Sequence, residues 1–559
     1  MQKMRILLSY LVAMVCLLTT AQAQVTLKNP ILPGFYPDPA ICRVGTDYYM
    51  VTSTFVYFPG IPVFHSKDLK NWKQITSAIN RPSQMDFMGE QVSRGLFAPA
   101  INHHKGIFYI TCTDIDNGGN FIVTAKNPAG PWSDPIYIKE VRGIDPSLYF
   151  EEDKVFIIYN SDPPENKSLY SGHRTVKIYE LDLATLKVLG SEKILVNGGV
   201  DISKKPVWIE APHIYKRNGY YYLMAAEGGT SVNHSEVILR SKDVRGPYIP
   251  YEKNPILTQR HLDPKRKNPI SSVGHADLVE GPDGNTYAVF LGVRPYEGDF
   301  YNTGRETFIA PVKWVDNWPV INPDHEEVQY EYKVNWKEQP HENQLPITGN
   351  FEFKVPFKDS LNTQFLFLRT HNPSWYSFKE NKNALTIKLL PETILEKGNP
   401  AFIGRRQQHL QSSASTEMVF STKKNNEKAG MVIFQNENHF YYLCKSSDQG
   451  KEVVQLFKGN PKSNKMDLLK QVVLPGAQKK IYLKINSEKD IYSFWYGLKE
   501  NEWQLLEDKL DGKYLSTVVA KGFVGSLYGV YATSEGQGST NNAIYKWFGY
   551  KGEDDTYQK

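Results

Sequence analysis

A short phrase recurs five times in the first half of the chain, and no other feature narrows the fold so far. It stands at Asp38-Pro39-Ala40-Ile41, Ala98-Pro99-Ala100-Ile101, Asp145-Pro146-Ser147-Leu148, Ala211-Pro212-His213-Ile214 and, without the proline, His275-Ala276-Asp277-Leu278. Its second position advances in steps of 60, 47, 66 and 64 residues. Each copy leads to a polar turn and an aromatic strand, as in Asn218-Gly219 followed by Tyr220-Tyr221-Tyr222-Leu223-Met224. Such self-similarity marks a repeat architecture, each unit being one supersecondary element. The unit here reads as strand, tight turn and strand, with further strands such as Phe121–Ala125 and Glu236–Arg240. Five units of about four strands, with no amphipathic helix between them, predict an all-β chain that begins with a five-bladed β-propeller.

In a propeller the first strand of every blade lines the central channel, so the heads of the five phrases meet although they are far apart in sequence. Those heads are Asp38, Ala98, Asp145, Ala211 with Glu210 just before it, and His275. A lone Asp-Pro is an ordinary turn former. Three carboxylates gathered at matched points of a repeat repel one another, which a fold selected for stability alone would avoid. His275 reads equally as a structural histidine or a pocket member, and Arg305, in Gly304-Arg305-Glu306-Thr307, as a strand residue or an ion-pair partner. Paired carboxyls are the equipment of glycoside hydrolysis: one protonates the leaving oxygen, and the second activates water or attacks the sugar. A third carboxylate holds the acid's pKa up. The residues alone leave inversion and retention open.

The rest of the chain sets the context. Lys3 and Arg5 precede an apolar run from Ile6 to Leu18, and Ala21-Gln22-Ala23 supplies a small-x-small cleavage site. Residues 1–23 therefore read as a signal peptide cleaved after Ala23, with a periplasmic or secreted product. The 13-residue run is shorter than the roughly 20 residues a membrane-spanning helix needs. Cys42, Cys112 and Cys444 remain, too few and too scattered for a disulfide framework or a zinc site. With 65 Lys+Arg against 60 Asp+Glu and no basic block, nothing favours a nucleic-acid partner. An aromatic share of 13% suits β-strands and stacking on sugar rings alike. The propeller is assigned to residues 24–325, a polar linker to 326–348, and a second all-β domain to 349–559. There, alternating runs such as Ala384–Leu389 and Lys480–Ile485 predict a β-sandwich.

These stretches together resemble glycoside hydrolase family 43. The likeness rests on Asn29-Pro30 through Asp38-Pro39-Ala40, Ser53-Thr54-Phe55, His65-Ser66-Lys67-Asp68-Leu69, Gly143-Ile144-Asp145-Pro146, Glu210-Ala211-Pro212-His213, Gly274-His275-Ala276-Asp277 and Gly304-Arg305-Glu306-Thr307. The resemblance implies an inverting mechanism with Asp38 as general base, Glu210 as general acid and Asp145 as modulator of the acid's pKa. It implies that Arg305 contacts sugar hydroxyls, that Phe55 walls the pocket, and that no cofactor is needed for the chemistry. His275 matches an axial histidine that in some relatives helps hold a calcium ion or its waters. Phe97, in Gly95-Leu96-Phe97-Ala98-Pro99, stands where close xylosidase relatives carry Trp. The second domain is similar to the jelly-roll, concanavalin-like sandwich of the exo-acting β-xylosidase and α-L-arabinofuranosidase branch, in which a sandwich loop closes the pocket. Phe523 in Gly522-Phe523-Val524-Gly525 is the candidate for that wall. The implied substrates are hemicellulose-derived oligosaccharides from xylan, arabinoxylan or xyloglucan, cut at a terminal non-reducing arabinofuranose or xylose. The alternatives are a non-catalytic carbohydrate-binding propeller, and a fructan or arabinan hydrolase of similar fold. The fructan enzymes expect Asn-Asp-Pro-Asn, from which Tyr36-Pro37-Asp38-Pro39 departs. No sequence feature sets an oligomeric state.

Overall fold

A computed structural model describes residues 25–340 and 345–557; the predicted signal peptide lies outside these residues. Each repeat unit forms an antiparallel meander. The blades start with strands Ala40–Val44, Ala100–His104, Ile144–Glu151, Glu210–Arg217 and Ser271–Glu280, and each adds further strands outward in chain order. The first strands pack side by side in sequence, and the fifth packs beside the first, which closes the ring. Val25–Lys28 pairs antiparallel with Glu331–Val334, tying the start of the described chain to the far side of blade five.

The stretch assigned as linker is more structured than a linker. Val328, Tyr332, Val334, Trp336 and Ile347 are buried, and Trp336 Nε1 donates to the Asp68 carbonyl at 3.1 Å. The physical reason is its own alternation of Val328, Tyr330, Tyr332, Val334 and Trp336, which buries one face of an extended segment.

The second domain is a two-sheet sandwich whose facing side chains form one large core. One sheet is centred on Lys428–Asn436 and Leu527–Thr533, the other on Gln411–Val419 and Asn542–Gly552. The edge of the first sheet is supplied by the propeller: Tyr57–Phe58, from the loop inside blade one, pairs with Leu366–Leu368. Buried charges reinforce this junction. Arg294 donates to Glu306 at 2.6 and 2.8 Å and to Asp554 at 2.6 Å. The Arg406 guanidinium lies over the Tyr36 ring at 4.0 Å and donates to the Phe35 carbonyl at 2.6 Å. Cys42, Cys112 and Cys444 are unpaired, and no helix among the described residues is long and apolar enough to cross a membrane.

Candidate active site

The repeat phrase has a local geometry that explains its chemistry. Asp38, Asp145, Ala211 and His275, which hold equivalent positions, all adopt positive φ, at 56°, 53°, 52° and 56°. In blades three, four and five the pairing of the first two strands slips at this point. Such a bulge re-aims a side chain out of the sheet, and left-handed backbone at a residue other than glycine costs about 1–3 kcal/mol, a cost met where function requires it. The proline that follows in four copies has no N–H to leave unpaired beside the channel. In blade four the bulge residue is Ala211, and the acid is one position earlier, at Glu210. Neighbouring phrases are joined across blades: the Ala211 N–H donates to Asp145 Oδ2 at 3.2 Å, and the Ile41 N–H donates to Asp277 Oδ2 at 2.8 Å.

All eight residues singled out in the sequence line one cavity of about 400 Å³: Asp38, Phe55, Phe97, Asp145, Glu210, His275, Arg305 and Phe523. Asp38 is the most firmly held of the three acids. Arg305 donates to its Oδ1 at 2.8 Å and its Oδ2 at 3.3 Å, and Ser53 Oγ donates to Oδ2 at 2.5 Å. Arg305 therefore resolves as an ion-pair partner at the pocket floor, and it also reaches Thr230 Oγ1 at 3.3 Å.

The other two acids stand differently. Burial, and then repulsion from Asp38, push Glu210 up to about 7, against the opposing pull of Arg305 and Arg174. Burial, Glu210 and Asp38 push Asp145 well above the usual carboxylate range. The cavity thus presents one arginine-paired carboxylate together with two buried carboxyls whose proton affinity is raised.

His275 lies in the cavity with Nδ1 3.7 Å from Asp38 Oδ1, and burial drives it down to about 3, so the ring is a neutral imidazole at working pH. It is a pocket member. Among the described residues, no group of three His, Cys, Asp or Glu is placed to hold a metal ion.

Three aromatic rings form the apolar wall. Phe523 stacks on Phe55 with centroids 5.9 Å apart and planes at 17°, and Phe97 meets both edge-on at 5.7 and 5.9 Å. The Arg305 guanidinium lies 5.4 Å from the Phe523 centroid. The sandwich thus contributes directly to the cavity. Its loop is seated by the Phe523 N–H bond to Ser93 Oγ at 2.8 Å and by close backbone approach at Gly525, where a Cβ would stand 2.4 Å from the Thr303 carbonyl oxygen.

Sequence reasoning gave no site role to Val207, Trp208 or Thr230, which also line the cavity. They lie in connections outside the repeat phrase. The available signal was Trp208 itself, a large aromatic two residues before the acid in a polar stretch.

Comparison with known proteins agrees with this architecture. Residues 27–319 match Glycosyl hydrolases family 43, and residues 352–551 match the Beta xylosidase C-terminal Concanavalin A-like domain. A xylosidase/arabinosidase of Butyrivibrio fibrisolvens is 40% identical over 94% of this chain and 99% of its own length. A non-reducing end alpha-L-arabinofuranosidase of Bacteroides ovatus is 36% identical over 95% of each chain. Among solved structures, Bacteroides ovatus Xyloglucan PUL GH43B superposes with a TM-score of 0.85 at 35% identity, covering 95% of this chain and 100% of that one. With its first domain and its sandwich both matched in order, and relatives of similar length 36–40% identical, this chain belongs to glycoside hydrolase family 43.

Proposed function

We propose that this protein is an exo-acting, inverting glycosidase that removes a single terminal non-reducing pentose, α-L-arabinofuranose or β-D-xylose, from hemicellulose-derived oligosaccharides. One observation carries the reading: an arginine-paired carboxylate and two carboxyls of raised pKa share a cavity of about 400 Å³ that a phenylalanine of the second domain walls on one side. A pocket with the acids at its base and a wall supplied by the second domain suits removal of a chain end over cleavage within a chain. The named relatives, a xylosidase/arabinosidase and a non-reducing end arabinofuranosidase, support the choice of sugars.

In this reading Glu210 gives its proton to the glycosidic oxygen as the bond from that oxygen to the anomeric carbon breaks. Asp38 takes a proton from a water whose oxygen bonds to the same carbon from the opposite face. Glu210 ends ionised and Asp38 protonated, and exchange with solvent restores both. Asp145 sits on the blade next to that of the acid and is bound to the Ala211 N–H beside Glu210, where its hydrogen bonding helps to position the acid. A purely sugar-binding propeller would have no use for a buried carboxyl such as Glu210 with its pKa raised to about 7. Export through residues 1–23 belongs to the same proposal and rests on Lys3, Arg5, the Ile6–Leu18 run and Ala21-Gln22-Ala23.

A panel of aryl pentosides and hemicellulose oligosaccharides, with products identified, tests the assignment. Release of single arabinose or xylose units supports it. Binding without release, or release of internal fragments, contradicts it.

A further inference from the structure

The cavity is asymmetric in a way that the three acids do not explain. Its floor is closely packed: Phe55 is 1% exposed, Asp38 4% and Arg305 6%. Its opposite lip carries two large apolar side chains facing solvent, Val207 at 42% and Trp208 at 37% exposure. Single exposed apolar residues are ordinary, but these two are consecutive and line the cavity that holds the acids.

Trp208 is built into place. Its φ is 49°, the left-handed region that bulky residues avoid, and its N–H donates to the Gly172 carbonyl at 2.9 Å. Gly172 permits the approach, since a Cβ there would lie 3.1 Å from Val207 Cγ1. The Gly228 N–H donates to the Val207 carbonyl at 2.8 Å, which fixes the segment from its other side. The Arg174 guanidinium lies 4.9 Å from the indole centroid. Arg174 is itself anchored, by bonds to Asn160 Oδ1 at 2.7 and 2.9 Å and by an ion pair with Asp162. Asn160 in turn donates to the Ile209 carbonyl at 2.5 Å, inside the segment that joins Trp208 to Glu210. The indole is therefore held between a fixed cation and the pocket mouth, two residues from the acid.

The direction of the reaction gives this platform its ligand. A general acid touches the glycosidic oxygen, so the departing part of the substrate lies just beyond it and away from the pocket floor. With Glu210 as that acid, we propose that Trp208 is the platform on which the leaving sugar ring stacks. It would select substrates whose pentose is attached to another pyranose or furanose ring. This inference rests on the pentosidase reading above. Arg174 is a positioning residue: it orients the indole and adds positive charge near Glu210.

The test compares wild type, Trp208→Ala and Trp208→Phe, each as a ratio to wild type, on two substrates with unactivated alcohol leaving groups, a pentosyl disaccharide and the matching methyl pentoside. Both need the acid, but only the disaccharide has a ring for the platform. The expected result is a loss of about tenfold or more in kcat/KM on the disaccharide for Trp208→Ala. The methyl pentoside rate should stay within about twofold, inhibition by free pentose should not change, and Trp208→Phe should recover most of the loss. Equal losses on both substrates would mean that Trp208 merely supports Glu210, and no loss on either would mean that the leaving sugar lies elsewhere; each overturns the platform while leaving the pentosidase reading intact. A wild-type enzyme that cleaves neither substrate overturns both.

Discussion

At the scale of residues, the account depends on Asp38 and Glu210 facing the same cavity in different electrostatic states. Glu210 works protonated, and its folded pKa is raised to about 7 by burial and by Asp38. As pH rises through that value the acid loses its proton, so kcat/KM on a poor leaving group should fall on the alkaline side of about pH 7. Glu210→Gln should remove that limb from the pH profile. It should cost about 10²–10⁴-fold on oligosaccharides while sparing activated aryl pentosides, which need little proton donation. Steady-state rates on the two substrate types check this, and equal modest losses on both would contradict the assignment. Asp38→Asn should abolish turnover on every substrate, because no leaving group replaces the base. The acids were legible in the sequence because they recur in register. The reason they point inward was not: the left-handed φ at Asp38, Asp145, Ala211 and His275 is a backbone property that no residue type there announces.

Among elements, the one that matters most to the site is the sandwich loop bearing Phe523. Its ring packs on Phe55 and Phe97 and completes the wall. Phe523→Ala should open that side, raising KM for oligosaccharides by about tenfold with a Tm change of only a few degrees, because each ring–ring packing it removes is worth about 0.5–1.5 kcal/mol. Kinetics and thermal melts on the same preparation separate the two effects. Gly525→Ala should be worse for binding, since its Cβ would strike the Thr303 carbonyl oxygen and shift the loop that carries Phe523. The blade and sandwich strands were readable from alternation and turn residues. The loop was readable only through likeness to a family, because its apolar partners belong to another domain. Trp208 and Thr230 escaped for a related reason: they lie in irregular connections, where neither a period of two nor the repeat spacing applies.

For the molecule as a whole, propeller and sandwich are one folding unit in energetic effect. The Tyr57–Phe58 strand crosses from one domain to the other, and Arg294 is buried between Glu306 of the propeller and Asp554 of the sandwich. Removing one partner of such a group leaves uncompensated charge in the interior, so Arg294→Met should destabilise by about 3–5 kcal/mol. Calorimetry should show a single transition that moves down as one, with activity lost alongside it; two separated transitions would contradict this coupling. Such a partnership is invisible in sequence, where Arg294, Glu306 and Asp554 are ordinary surface residue types. The near-balance of 65 basic and 60 acidic residues accords with a neutral sugar substrate. The central claim is that this molecule removes one pentose from a chain end with inversion at the anomeric carbon. Proton NMR of the reaction in its first minutes reads both parts together. The account predicts free arabinose or xylose appearing first as the anomer opposite to that of the substrate bond, whereas a first-formed anomer of retained configuration would contradict it.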